Sequence, residues 1–124
     1  MNLAYVMAGG ALGSALRYGF SLWLKVDEGG FPRATFAVNI IGCVVFGFIA
    51  GWLTQGQVNK EGLRLALLVG VMGGFTTFSS FGFETIRLWE FGHQGVAVSY
   101  VLLSTVLGIL GAYAAYKGAL TIFN

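Results

Sequence analysis

The chain has 124 residues, of which 56% are hydrophobic and only 10% are charged, whereas about 25% of residues are charged in an ordinary soluble domain. A domain of this length buries only about two-thirds of its unfolded surface, so the excess apolar surface must face lipid or another chain. This composition excludes an ordinary soluble fold. The formal net charge is +2 and the basic residues are scattered, so no basic patch for nucleic acid is present in the sequence.

Four apolar runs follow one another along the chain, and each is close to the ~20 residues that cross ~30 Å of hydrocarbon. We predict membrane spans at residues 3–24, 34–53, 65–83 and 96–116. The connections are short, so consecutive spans should be antiparallel neighbours. The N-terminus has no basic leader or cleavage site, so we expect the first run to be retained as a helix. The sequence predicts one all-α transmembrane domain over residues 1–124.

Pairs of glycines four residues apart recur in the first three spans. Such pairs place two small residues on one face of a helix and allow neighbouring backbones to approach closely. Because the spacing is common by chance, it predicts helix packing without deciding whether the partner helix belongs to the same chain. The pairs are Gly9 with Gly13, Gly47 with Gly51, and Gly70 with Gly74.

The basic residues near the span ends show no bias between the two sides of the membrane. One side holds Lys60, Arg64 and Lys117, and the other holds Lys25, Arg33 and Arg87. Since an excess of Lys and Arg in short loops sets the direction of insertion, copies of this chain should insert in both directions. Four short helices enclose too little space for a pore with its walls. These two arguments predict an antiparallel homodimer, unless N-terminal residues or insertion factors fix one orientation.

The third span contains two adjacent glycines followed by four hydroxyl residues, which is poor material for a lipid-facing helix. Gly is about 1 kcal/mol less favourable than Ala in a helix, and Thr and Ser hydroxyls bond to carbonyls of the preceding turn. We therefore predict a break near residues 73–77, where the carbonyls of Gly73 and Thr76 become available. Two carbonyls from each chain of a symmetric pair would suit a small monovalent cation. The alternative is a continuous helix whose hydroxyls bond back to it.

Phenylalanines and hydroxyl residues alternate just after the predicted break. Phe78 and Phe81 are three residues apart and share a helix face, and the edges of their rings carry the positive end of the aromatic quadrupole. Thr77 and Ser80 share another face with Glu84, which makes a polar stripe at membrane depth. Plain core packing is the alternative for the two phenylalanines. Together the two faces favour a dehydrated path for an anion.

Three stretches resemble the Fluc (CrcB) family of fluoride channels, in order and over nearly the whole chain. They are GGALGSALRY at residues 9–18, TFAVNIIG at residues 35–42 and GGFTTFSSFGFE at residues 73–84. The resemblance implies an antiparallel dual-topology homodimer with two pores, which exports fluoride passively across the bacterial inner membrane. It also implies a central structural sodium ion held by the Gly73 and Thr76 carbonyls.

The same resemblance assigns further residues to the fluoride path. The characteristic asparagine of the second span corresponds to Asn39, and the fourth span contributes Tyr100 and Ser104, which share a helix face. With Thr77, Phe78, Ser80 and Phe81, these residues make up the predicted path. Arg17 is expected to have a vestibule or structural role. Glu84 is either a solvated carboxylate at the end of its span or a residue of the pore.

Other functions fit the residues less well. A small multidrug exporter has the same size, but that class relies on a carboxylate in its first helix, where this chain has Arg17. An assembly subunit would explain the glycine pairs but not the stripe of hydroxyl and phenylalanine residues. No nucleophile, base and orienting group converge in the sequence, so we do not expect an enzyme.

Overall fold

The computed structural model describes residues 2–55 and 60–124, and within these ranges all regular structure is helical. Helix α1 is Asn2–Trp23 and α2 is Arg33–Thr54. Helix α3 covers residues 61–75, with π-helical hydrogen bonding over Leu65–Met72. Helices α4 and α5 are Phe78–Glu90 and Gln94–Ile122. Because α3 and α4 are two parts of one span, the described residues confirm the predicted all-α fold with a broken third helix.

Helices in the described part of the chain are long and apolar enough to cross a membrane in three places. These are Arg33–Thr54, the combined α3 and α4 at Glu61–Glu90, and Gln94–Ile122. Helix α1 has 22 residues, which also covers ~30 Å of hydrocarbon, although it carries Arg17. Large apolar side chains are exposed along all of these helices, so the chain needs lipid or a partner around it.

The first and third glycine pairs pack against each other within the chain. A Cβ atom added to Gly13 would overlap the Val71 carbonyl oxygen and would lie 2.8 Å from the Phe75 nitrogen. A Cβ atom added to Gly70 would lie 2.9 Å from the Cα atom of Gly9. Both are contacts of backbone with backbone, which only glycine permits. Helices α1 and α3 therefore run side by side in the same direction.

The second glycine pair joins α2 to α5 in the same way. An added Cβ atom at Gly47 would overlap the Ala112 carbonyl oxygen, and one at Gly51 would lie 2.6 Å from the Tyr116 carbonyl oxygen. Gly42 has a different neighbour, because its added Cβ would overlap the Thr76 methyl group. This glycine therefore lets α2 approach the break in the third span.

The connections on one side of the bundle meet each other. Gly29, in the loop between α1 and α2, has a φ of 75°, which a side chain would strain. The ring of His93, in the turn before α5, lies directly against Gly29 and occupies the space that a Cβ atom on Gly29 would need. The two connections thus form one surface above the cavities described below.

Candidate ion pathway

The break in the third span lies at Thr76 and Thr77, within the range predicted from the sequence. Both residues are extended, with φ and ψ of −81° and 159° at Thr76 and of −151° and 118° at Thr77. The Thr76 nitrogen and hydroxyl both donate to the Met72 carbonyl, at 3.0 and 2.9 Å. The span resumes as helix α4, which has Thr77 as its N-cap. The Thr77 hydroxyl oxygen accepts from the Ser80 nitrogen at 3.2 Å.

Side chains from α1 and α2 bind the backbone on either side of the break. The Arg17 Nε donates to the Gly74 carbonyl at 3.1 Å. The Asn39 amide forms two hydrogen bonds with Thr77, donating from Nδ2 to the carbonyl at 2.9 Å and accepting from the nitrogen at 2.8 Å. Across the described residues, no hydrogen bond found around the break uses the carbonyls of Gly73 or Thr76.

Two of the hydroxyl residues predicted for the path, Thr77 and Ser80, lie together at the start of α4. The Thr77 hydroxyl donates to the Ser80 hydroxyl at 3.1 Å, and both residues line a cavity of about 380 Å³. Glu84, one turn further along α4, lines the same cavity. The predicted polar stripe therefore forms one wall of this cavity, here called the polar wall, and it faces residues of α1 and α2.

The aromatic residues of the predicted path lie on a different side of α4. The rings of Phe78 and Phe81 have centroids 5.7 Å apart, and the Phe81 ring is 5.1 Å from that of Tyr100. Phe81 and Tyr100 belong to a packed cluster that includes Leu88. Phe78 is 84% exposed in the single chain, so the described residues leave most of its ring uncovered.

The Glu84 carboxylate, at the end of the polar wall farthest from the break, accepts hydrogen bonds from two hydroxyl groups. Glu84 accepts from the Thr35 hydroxyl at 2.7 Å through one oxygen, and from the Tyr100 hydroxyl at 2.8 Å through the other. Thr35 is only 8% exposed. Thr35 is not among the residues predicted for the path, although it lies one helical turn before Asn39. This network joins α2, α4 and α5 at one point.

Ser104, the last of the residues predicted for the path, has a hydroxyl group that is buried. Its oxygen has no hydrogen-bond partner among the described residues. Leaving a buried polar group unpaired costs about 1–3 kcal/mol. A hydroxyl in this state is able to donate to an ion or to water.

Two cavities with mixed polar and apolar lining follow each other from the side of the loops toward the break. The outer one has a volume of about 540 Å³ and lies beneath Gly29 and His93. It shares part of its lining with the inner cavity, which extends to Thr77. The shared residues are Ser21, Ala34, Thr35 and Glu84. A route with polar groups in its wall therefore leads from the loops to the hydroxyl groups of the break.

A helical bundle with a broken span and a polar route into it defines a multi-pass membrane protein of the channel or carrier class. A family model described as CrcB-like protein, Camphor Resistance (CrcB), matches residues 4–116. The chain therefore belongs to the CrcB family, and the resemblance found in its sequence is confirmed.

Curated relatives match the chain over most of its length. A fluoride-specific ion channel FluC from Thermus thermophilus is 45% identical over 113 residues, which cover 90% of this chain and 88% of the relative. Proteins with the same name from Paracoccus denitrificans and Helicobacter pylori are 45% and 42% identical over 88% and 90% of this chain, and these alignments cover 86% and 88% of the relatives. With the membrane-spanning helices, these matches identify a multi-pass bacterial membrane protein.

Proposed function

We propose that this chain forms a channel that lets fluoride leave the cell passively. The observation that carries the proposal is its 45% identity, over 90% of its length, to a relative named a fluoride-specific ion channel. The polar route and the hydroxyl groups at membrane depth support the same function. Fluoride is small and strongly hydrated, so a pore must replace its lost water with close donor contacts that are weak enough to release it.

The proposed path runs along the wall formed by α4 and its neighbours. Thr77, Ser80 and Ser104 supply hydroxyl donors, and the buried Ser104 hydroxyl supports this role because its hydrogen bond is unused. The edges of Phe78 and Phe81 add a weaker positive surface. Asn39 lies beside Thr77 in the same wall, and Tyr100 lies between Phe81 and Glu84.

The functional unit in this proposal is an antiparallel homodimer. The 84% exposure of Phe78 supports it, because a ring that acts inside a pore needs a second wall. Gly73, at the break, is also exposed in the single chain. A second copy placed over this surface would cover both residues and complete the path.

The proposal also includes a structural sodium ion, which the carbonyls of Gly73 and Thr76 at the break would hold in the dimer. Carbonyl oxygens of unwound helices are the groups that hold Na⁺ in membrane transport proteins, and the Gly73 and Thr76 carbonyls have no donors among the hydrogen bonds found in the described residues. A sodium ion bound there supplies a positive charge in a medium of low dielectric constant. That charge stabilises the packed pair of breaks and favours an anion nearby.

Release of fluoride from sealed vesicles tests the proposed function. We expect vesicles that hold the purified protein to release fluoride, measured with a fluoride electrode, and to retain chloride under the same voltage. Ser104→Ala should slow the release by roughly 10- to 150-fold, since a hydrogen bond to a charged group contributes ~1.5–3 kcal/mol.

The matched control for that variant is Ser99→Ala in the same helix. Ser99 is exposed and its hydroxyl donates to the Gly95 carbonyl at 2.8 Å, so its loss should leave the rate unchanged. Vesicles that contain folded protein and release no fluoride would refute the function.

A further inference from the structure

The Asn39 amide is fixed to the backbone of one residue across the break. Its two hydrogen bonds to Thr77, at 2.9 and 2.8 Å, reproduce the pair that opposite residues exchange in an antiparallel sheet. Thr77 has the extended backbone that this pairing needs, with φ of −151° and ψ of 118°. The opposite orientation of the amide would place oxygen against oxygen and N–H against N–H. Asn39 thus stabilises Thr77 in an extended conformation.

The hydrogen bond that Asn39 accepts removes a donor from a helix. In a continuous α-helix, the N–H of residue i donates to the carbonyl of residue i−4. The Thr77 N–H would therefore donate to the Gly73 carbonyl, but in this structure it donates to Asn39 Oδ1. The Gly73 carbonyl is left free as a direct consequence.

The second free carbonyl arises in the same way. The Ser80 N–H would donate to the Thr76 carbonyl in a continuous helix, but here it donates to the Thr77 hydroxyl oxygen at 3.2 Å. The carbonyls that lose their helical donors to side chains are thus those of Gly73 and Thr76, the pair proposed to hold sodium. The freed Gly74 carbonyl differs from both, because Arg17 binds it.

We infer that Asn39 is a positioning residue for the cation site, and that the Thr77 hydroxyl is its counterpart one turn later. Asn39 keeps the Thr77 N–H away from Gly73, and the Thr77 hydroxyl keeps the Ser80 N–H away from Thr76. Gly42 contributes by letting α2 approach the break closely, since a Cβ atom there would overlap the Thr76 methyl group. This inference rests on the proposed sodium site and not on fluoride conduction.

Sodium titration of thermal unfolding, in detergent and without fluoride, tests the inference. We expect sodium chloride, but not N-methylglucamine chloride, to raise the unfolding temperature of the wild-type protein. Asn39→Leu, which keeps the side-chain size but cannot bind Thr77, should need at least tenfold more sodium for half of the effect. Thr77→Val should shift the midpoint in the same direction, whereas Thr77→Ser, which keeps the hydroxyl group, should not.

A backbone measurement separates positioning from a general loss of stability. The ¹³Cα chemical shift of Thr77, read in threonine-labelled protein without sodium or fluoride, should change from an extended to a helical value in Asn39→Leu. Asn39→Ala serves if the leucine variant does not fold, because it also lacks the acceptor for the Thr77 N–H and should give the same changes in the sodium midpoint and in the Thr77 shift.

Two results would overturn the inference, and they are distinguishable. Unchanged sodium midpoints and an unchanged Thr77 shift in the Asn39 variants would refute the role of Asn39 alone. A wild-type protein that does not respond to sodium would refute the sodium site together with this inference. Neither result would affect the proposal of fluoride conduction, which vesicle release measures separately.

Discussion

Replacing Phe78 with isoleucine tests whether an aromatic edge lies on the ion path. Phe78 is 84% exposed in the single chain, and its ring contact is with Phe81, at 5.7 Å between centroids. Isoleucine keeps an apolar side chain of comparable bulk but has no quadrupole. The substitution therefore removes the electrostatic property and leaves most of the volume.

The expected magnitudes differ for stability and for conduction. Loss of one aromatic pair costs about 0.5–1.5 kcal/mol, so the variant should remain folded. A cation over the face of a ring gains ~2 kcal/mol when dehydrated; if the weaker contact of an anion with a ring edge is worth about half of that, its loss in the transport step corresponds to a roughly fivefold slower rate. We therefore expect Phe78→Ile to remain folded and to release fluoride about fivefold more slowly than the wild-type protein.

The assay is fluoride efflux from vesicles, paired with an unfolding curve for each variant. Phe83→Ile is the control, because Phe83 is also exposed on α4, at 63%, but is not part of the proposed path. The reasoning fails if Phe78→Ile conducts fluoride normally. It also fails if Phe83→Ile slows efflux to the same extent.

Further changes test the packing, the cation and the orientation of the chain. Gly13→Ala should lower the free energy of unfolding by about 1–3 kcal/mol, because its Cβ would overlap the Val71 carbonyl oxygen. Gly10→Ala is the control in the same helix, since no described atom lies within 4 Å of its added Cβ. Exchange of sodium for N-methylglucamine should lower the unfolding temperature of the wild-type protein, and an unchanged temperature would contradict the cation site. Three additional lysines within residues 55–62, of which 56–59 lie outside the described residues, should force one orientation and reduce efflux. Co-expression with an oppositely biased copy should restore efflux, and full activity of the biased form alone would exclude the antiparallel dimer.

The helical fold and its break could be predicted from the sequence because both depend on local composition. Apolar runs of the length of a membrane span indicate the helices, and adjacent glycines followed by threonines indicate the break. The partner of each glycine pair was not predictable, because the spacing defines a face and not what packs on it. Gly13 meets Val71, whereas Gly47 meets Ala112.

The polar contacts around the break were less accessible from the sequence, since each joins distant parts of the chain. Thr35 and Glu84 are 49 positions apart, and Arg17 and Gly74 are 57 positions apart. Periodicity within one helix carries no information about such pairs. From the sequence alone, the Glu84 carboxylate at the end of its span is therefore expected to be solvated. In the structure, α2 and α5 supply it with two hydroxyl donors.

The proposals for an anion path and for a cation site concern the same break and must be electrostatically compatible there. Unwinding the helix exposes carbonyl oxygens, which carry partial negative charge and would repel fluoride at short range. In a low-dielectric medium this repulsion is large unless a positive charge lies close by. Arg17 provides one such charge at the Gly74 carbonyl, 3.1 Å from its Nε, and the proposed sodium ion provides another at Gly73 and Thr76. With Arg17 and the proposed sodium ion in place, the unwound carbonyls are paired with positive charge, so one break can bind a cation and still lie beside the proposed anion path.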